Sequence, residues 1–197
     1  MAKEVIGVGT VANDGTGDTL RASMVKANTN FTGLFNVLGW GNYVEDQTTP
    51  STQVISSTAS KLQIDGGSAL SESGYLPYEI RGVSELWDTV NNKILPIAVG
   101  DAYTFRLDFD VTAKSGSPNG LFFQLDIGGD TGVTNPIVNN LVLIDRTPPF
   151  SVSIGMPVFT LGTFLSNGGQ IFLNTDTGTV TLTARSINIH RISSGAL

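Results

Sequence analysis

Hydrophobic and polar residues alternate regularly in the second half of the chain. In residues 103–111 every second position is apolar: Tyr103, Phe105, Leu107, Phe109 and Val111 alternate with Thr104, Arg106, Asp108 and Asp110. A two-residue period is typical of a strand that buries one face. Further short strands are predicted at 120–127, 139–145, 150–165, 170–174 and 179–192, and the last places Val180, Leu182 and Ala184 on one face.

A helical period replaces this alternation near the N-terminus. Six apolar residues, which we call the seam, are spaced 4-3-4-3-4: Leu20, Met24, Ala27, Phe31, Leu34 and Leu38. This spacing keeps them on one face of a helix, as in coiled coils. Asp18 is the predicted N-cap, and Gly39 the predicted C-terminal stop. The neighbouring Phe35 and Val37 widen the seam, which favours more than two helices around a common axis or packing onto the following domain, and three helices fit best. A short trimeric stalk is therefore predicted.

The remaining segments complete a two-part organisation. Residues 1–17 are rich in glycine and turn-forming residues and are predicted to form an extended N-terminal arm. Residues 40–92 carry short apolar pieces between Ser, Thr, Gly and Asn clusters, which predicts short strands and long loops. We therefore predict an arm and helical stalk over 1–39 and a β-sandwich knob over 40–197. The fold class is mainly β, an antiparallel jelly-roll-like sandwich preceded by a short helix.

Composition adds a hint of assembly. Hydrophobic residues make up 40% of the 197 residues and charged residues only 14%, against roughly 25% charged in a typical soluble domain. Such a chain would expose an unusually apolar surface as a monomer, whereas an oligomer hides part of it. The net charge of −6, without a Lys/Arg run, makes nucleic acid an improbable partner. No signal peptide or 18-residue apolar run is seen, so we expect synthesis in the cytoplasm without membrane insertion.

Candidate chemistry in the sequence is sparse. The glycine-rich residues 7–18 lack the Gly-Lys-Ser/Thr and βαβ contexts of nucleotide loops, and an EF-hand would need a glutamate where Val25 stands. His190 is the only histidine and there is no cysteine, so a metal centre or a Ser-His-Asp triad within one chain is not expected. Asp108 and Asp110 could mimic a glycosidase pair, but solvated strand positions explain them better. We predict no enzyme activity and no cofactor.

Four aromatic residues leave a binding alternative open. Aromatic faces stack on sugars, so these residues could form a carbohydrate platform, although packing in the core or in an interface is their more common use. They are Trp40, Trp87, Tyr75 and Tyr78.

One segment carries a family resemblance. Residues 13–35, NDGTGDTLRASMVKANTNFTGLF, contain Asn-Asp-Gly-Thr-Gly-Asp, then Leu-Arg, a lysine and Asn-x-Asn-Phe. This segment resembles one that recurs in tail-fibre, head-fibre and other virion proteins of tailed phages, including cyanophages. Residues 85–111 and the closing strand are similar in texture to TNF-like or jelly-roll trimers on phage heads and fibres. The residues that the resemblance assigns to virion attachment are Asn13, Asp14, Gly15, Thr16, Gly17, Asp18 and Arg21.

The resemblance implies a structural subunit of a bacteriophage virion. No long shaft follows the matching segment, and this departure from the family pattern favours a homotrimeric head fibre or capsid decoration protein. Its expected partners are major capsid or tail proteins. The alternative is a short tail fibre or adaptor subunit that binds a host-surface receptor or glycan through loops 66–80, 115–119 and 128–136. A capsule-degrading enzyme is a third possibility, for which the sequence offers no dedicated carboxylate pair.

Overall fold

The computed structural model describes residues 4–10, 15–46, 51–129 and 132–195, without the side chains of 34–36. Asn13, Asp14 and the Leu34 side chain therefore lie outside the described residues. The elements are α1 (Leu20–Val37), β1 (Gly39–Val44), β2 (Gln53–Ile55), β3 (Ser60–Lys61), β4 (Trp87–Asp88), β5 (Lys93–Ile94), β6 (Ala102–Ser115), β7 (Gly120–Asp126), β8 (Pro136–Leu143), β9 (Phe150–Phe159), α2 (Gly162–Asn167), β10 (Gly169–Thr175) and β11 (Thr179–Ser193). None of the helices in these ranges is long and apolar enough to cross a membrane.

The strands form two antiparallel sheets. The first has the order β1-β11-β6-β9, and β2 also pairs with β11. The second has the order β4-β5-β10-β7-β8, and β3 also pairs with β10. The predicted fold class, a mainly β antiparallel architecture preceded by a short helix, is confirmed.

The core lies between the two sheets. The alternation in β6 buries Phe105, Leu107 and Phe109, while β7 contributes Phe123 and Leu125 from the opposite sheet. The rings of Phe105 and Phe123 meet at a centroid distance of 6.2 Å. The predicted strand of residues 103–111 lies within β6, a central strand, because β11 and β9 pair with it on either side.

Two strand predictions need correction. The segment 150–165 is not one strand: β9 ends at Phe159, and the helical turn α2 follows. Within α2 only Phe164 is buried, so a helical turn places this one ring in the core. In β11, Ala184 does not continue the face of Val180 and Leu182, because it has φ 50° at a register shift between Thr183 and Ser186. The bulge turns Arg185 into the interior instead.

Both predicted ends of the stalk helix were assigned to the wrong residue. Thr19, not Asp18, is the N-cap, because its side chain accepts a hydrogen bond from the Ala22 N–H. Gly39 is the first residue of β1 and not a helix stop. A Cβ atom at Gly39 would lie 2.3 Å from the Pro77 backbone nitrogen. Glycine is required there by the close approach of two backbones, which helical periodicity cannot show.

Candidate functional site

The N-terminal arm folds back along α1 and is held by three side chains, which we call the clamp: Asp18, Lys26 and Asn30. Asp18 Oδ2 accepts from the Gly7 N–H at 2.7 Å, and the Asp18 N–H donates to the Gly7 carbonyl at 2.8 Å. The Asn30 side chain contacts both the N–H and the carbonyl of Glu4, at 2.8 and 2.9 Å. The described part of the arm is therefore hydrogen-bonded to the helix.

Lys26 lies at the centre of the clamp. Its Nζ donates to Asp18 Oδ2 at 2.8 Å and to the Val5 carbonyl at 3.0 Å. The hydrogen bond from Lys26, assisted by the one from the Gly7 N–H, holds the pKa of Asp18 below its usual range. The contacts with Gly7 and Lys26 thus favour the ionised carboxylate of Asp18.

Several residues of the segment 13–35 have a role in the contact between the arm and α1. A Cβ atom at Gly17 would lie 3.0 Å from backbone atoms of the arm, so the closeness of arm and turn explains this glycine. Gly15 has φ 73°, which suits a residue without a side chain. Of the predicted attachment residues, Asp18 and Gly17 hold the arm in place. Gly15, Thr16 and Arg21 are exposed beside it.

Most described side chains of the seam are exposed on α1. Leu20 is 81% exposed, Met24 55% and Phe31 60%. Ala27 is half-buried, and Leu38 is exposed at the base of the helix. A helix of about 18 residues with such an apolar face is marginal in water unless the face is buried. Among the described side chains, Leu20, Met24, Phe31 and Leu38 of the seam are therefore exposed in the single chain.

The base of α1 is fixed to the sandwich by Arg191. This side chain is 1% exposed; its Nη1 donates to the Val37 carbonyl at 3.3 Å and pairs with Glu79. Its Nη2 donates to Asp101 at 2.8 Å and to Ser194 at 3.1 Å. Burial opposes the charged form, but the hydrogen bonds that Arg191 donates to Asp101 and Glu79 prevail and raise the pKa of Arg191. A cation at the last carbonyls of a helix is favourable, so the stalk has a fixed starting point.

The proposed carbohydrate platform is only partly assembled. Trp87 is buried and donates its Nε1–H to the Ile64 carbonyl at 3.0 Å, so it belongs to the core, the more common of the two uses, and not to a platform. Trp40 stacks on Tyr75 at 5.1 Å and on His190 at 6.0 Å, with interplanar angles of 11° and 19°. Burial, and then the charge of Arg106, lower the pKa of His190, so its ring is neutral at pH 7. Tyr75 presents an exposed ring at the end of this stack.

The carboxylates that could mimic a glycosidase pair lie on the outer face of β6. Asp108 pairs with Arg106 at 2.8 Å, and Asp110 accepts from the Ser151 hydroxyl at 2.6 Å. Among the described residues there is no group of three or more His, Asp or Glu side chains arranged to hold a metal ion.

Two buried ion pairs were not found from the sequence. Glu45 pairs with Arg185, and Asp101 pairs with Arg191. One signal was available: the apolar positions Leu182 and Ile187 are five apart, an odd offset that breaks the two-residue period and indicates a bulge near Arg185. No comparable signal marks Asp101, because a single acidic residue before a strand is commonplace.

Comparisons with known proteins give a likeness of fold without a family. No family model matches the chain, and no curated protein matches it. Among solved structures, the chain is similar to Eiger TNF from S. frugiperda, with a TM-score of 0.45, 6% identity and coverage of 81% of this chain and 96% of the other. It is also similar to the PRD1 vertex protein P5, with a TM-score of 0.43, 12% identity and coverage of 78% and 73%. The xylan-binding module CBM15 gives a TM-score of 0.41, 12% identity and coverage of 80% and 93%.

Replacing Asp18 by alanine is expected to release the arm from α1. Amide exchange at Gly7 should accelerate, because its acceptor and the partner of Lys26 are both lost.

Acid should have the same effect on the unmodified chain. The pKa of Asp18 is lowered, so the contribution of its carboxylate to holding the arm is complete above the ordinary value of 3.8. That contribution disappears as the pH falls through the lowered pKa. NMR-detected exchange and a pH titration of the Gly7 amide measure both. Arg21→Ala, in the same segment but outside the clamp, is the control; equal exchange in both variants would refute the clamp.

Proposed function

We propose that this chain is a structural subunit of a bacteriophage particle, a homotrimer of the head-fibre or capsid-decoration type. The observation that carries the proposal is the bare seam of α1, which stands beside an arm held by the clamp. Three copies would bury Leu20, Met24 and Phe31 around one axis and form the stalk. The exposed residues Gly15, Thr16 and Arg21 would remain available for contacts with other virion proteins.

Two further features support this proposal. The segment that resembles phage virion proteins, residues 13–35, contains the three clamp side chains and all of the seam residues except Leu38. The sandwich adds a knob fixed to the stalk through Arg191. Threefold symmetry would let one trimer contact several capsid subunits, and simultaneous contacts strengthen weak individual ones.

A host-glycan-binding tail fibre or adaptor is the second candidate. It is favoured by the stack of Trp40 on Tyr75, because an exposed aromatic face can pack against a sugar ring. In this function the knob would face the host and the arm would face the tail.

Binding experiments separate the two candidates. A decoration or head-fibre trimer is expected to bind purified shells that lack it, and Arg21→Glu should weaken that binding. The second candidate instead predicts binding to host cells that Tyr75→Ala abolishes. Absence of binding to shells, together with saturable binding to cells, would overturn the first candidate in favour of the second.

A further inference from the structure

A polar groove lies next to β1, the strand that carries Trp40. Two clefts of about 290 and 190 Å³ share Asp65 and Thr89 and therefore form one surface, which we call the groove. Its volume lies at the lower end of the roughly 300–1,000 Å³ range of small-ligand sites. Its principal lining residues are Tyr43, Asp65, Glu72, Glu85, Thr89 and Arg185.

Three carboxylates of the groove are held in place and keep one oxygen free. One oxygen each of Asp65, Glu72 and Glu85 accepts hydrogen bonds of 2.7–3.1 Å from the protein itself. The donors are the N–H groups of Asp46, Gly67 and Gly74 and the hydroxyl of Tyr43. Within the described part of the chain, the second oxygen of each accepts no hydrogen bond. These carboxylates are thus oriented in advance as acceptors for a ligand that donates hydrogen bonds.

The groove has no free cation among its described lining residues. Arg185 is the one basic residue there, and its five side-chain N–H groups all donate to the protein itself. An acidic ligand would meet three carboxylates without a positive partner, which is unfavourable. No group of three acidic side chains among the described residues is arranged to hold a metal ion. The exposed hydroxyl of Thr89 can both donate and accept, so a ligand rich in hydroxyl groups fits best.

The groove continues into the stack of Trp40 on Tyr75. Asn42, at the margin of the groove, exchanges backbone hydrogen bonds with Glu72 at 2.8 Å, and the Trp40 N–H donates to the Tyr75 carbonyl at 2.9 Å. These contacts are two residues apart along β1, about 7 Å at the usual rise of a strand. Tyr75 is 58% exposed, so its ring can pack against the apolar face of a sugar. Hydrogen-bond acceptors and an aromatic ring therefore lie side by side.

We propose that the groove and Tyr75 together bind a saccharide chain without acidic groups. One unit would lie in the groove, where its hydroxyls donate to Asp65, Glu72 and Glu85, and a neighbouring unit would pack on Tyr75. This inference rests on the second candidate function, glycan binding, and adds the class of sugar: neutral or amino sugars, and not uronic or sialic acids. None of the described seam residues lines the groove, so the stalk can form without filling it.

Glycan binding by the full chain tests the groove, with an array of immobilised neutral and acidic glycans and intact host cells as the two probes. We expect binding to neutral or amino sugars and none to uronic or sialic acids. Glu72→Ala should raise the dissociation constant of the best-bound glycan at least about tenfold, and Thr89→Val about fivefold, as measured by calorimetry. Both residues are exposed, so the variants should fold, as circular dichroism will verify.

Asp145→Ala is the matched control for Glu72→Ala. Asp145 is exposed and lies outside the groove, so the variant loses one carboxylate without losing a proposed contact. Its dissociation constant should equal that of the unmodified chain. If Asp145→Ala weakened binding as much as Glu72→Ala, the overall charge and not the groove would be responsible, and the proposal would be overturned.

The other outcomes separate the groove from glycan binding itself. Loss of binding in Tyr75→Ala, with unchanged constants in Glu72→Ala and Thr89→Val, would overturn the groove and leave the aromatic stack as the site. A preference for acidic glycans would also overturn the groove while glycan binding stands. No binding to the array or to host cells would overturn both the groove and the second candidate function, whereas the head-fibre function is tested separately with purified shells.

Discussion

Replacing Glu45 by alanine is expected to lower the free energy of unfolding by about 3–5 kcal/mol, because it leaves the buried cation of Arg185 without its partner. Both side chains are only 2% exposed. Arg185 also donates to the Gln63 carbonyl at 2.8 Å and to the Ser51 hydroxyl at 2.9 Å. Burial lowers the pKa of Arg185, and Glu45 opposes that shift. Carbonyls and a hydroxyl cannot replace the lost negative charge.

Chemical denaturation at fixed protein concentration measures this effect. Two controls belong with it. Asp108→Ala removes an exposed pair with Arg106 and should change stability by at most about 1 kcal/mol. The double replacement Glu45→Leu with Arg185→Met should lower the free energy of unfolding less than Glu45→Ala alone, because no charge remains buried at this position. If Glu45→Ala lowered the free energy of unfolding no more than Asp108→Ala, the pair of Glu45 and Arg185 would not stabilise the fold.

If the chain forms the proposed trimer, Phe31→Asp is expected to convert it into single chains at micromolar concentration. Phe31 is at the centre of the seam, and threefold association would place three carboxylates around one axis. Each buried, unpaired charge costs several kcal/mol, so the dissociation constant should rise by at least about a hundredfold. Light scattering should show a fall in mass from about 62 kDa, three times the 20.8 kDa chain, towards that of the chain itself.

Thr32→Asp is the control for the seam. Thr32 is exposed. Its replacement by aspartate adds the same charge to the same helix as Phe31→Asp does. At 100° per residue around the helix, however, position 32 lies well away from the seam. It should leave the mass unchanged. Equal masses for Phe31→Asp and the unmodified chain would show that the seam does not join the copies.

The sequence was most informative where one physical cause determines the pattern. The alternation of residues 103–111 predicts β6 because burial between two sheets acts on every second side chain. The seam spacing predicts α1 because a helix repeats every 3.6 residues. Local signals sufficed in both cases, since neighbouring residues along the chain share one environment.

Predictions failed where distant segments determine the outcome. The sequence predicts Asp18 as the helix cap, but its carboxylate contacts Gly7, eleven positions away. It predicts Gly39 as the helix stop, but the Pro77 backbone excludes a side chain there. Arg185 is buried because a bulge directs it towards Glu45, 140 positions earlier. Such contacts depend on the assembled fold and leave little trace in local periodicity.

The most direct test of the proposed function is cryo-electron microscopy of intact phage particles that carry the gene for this chain. We predict threefold-symmetric density on the capsid, with three copies at each site, into which the sandwich and α1 fit with the arm towards the shell. Particles that contain no copy of the chain, or copies confined to the tail, would contradict the head-fibre or decoration function.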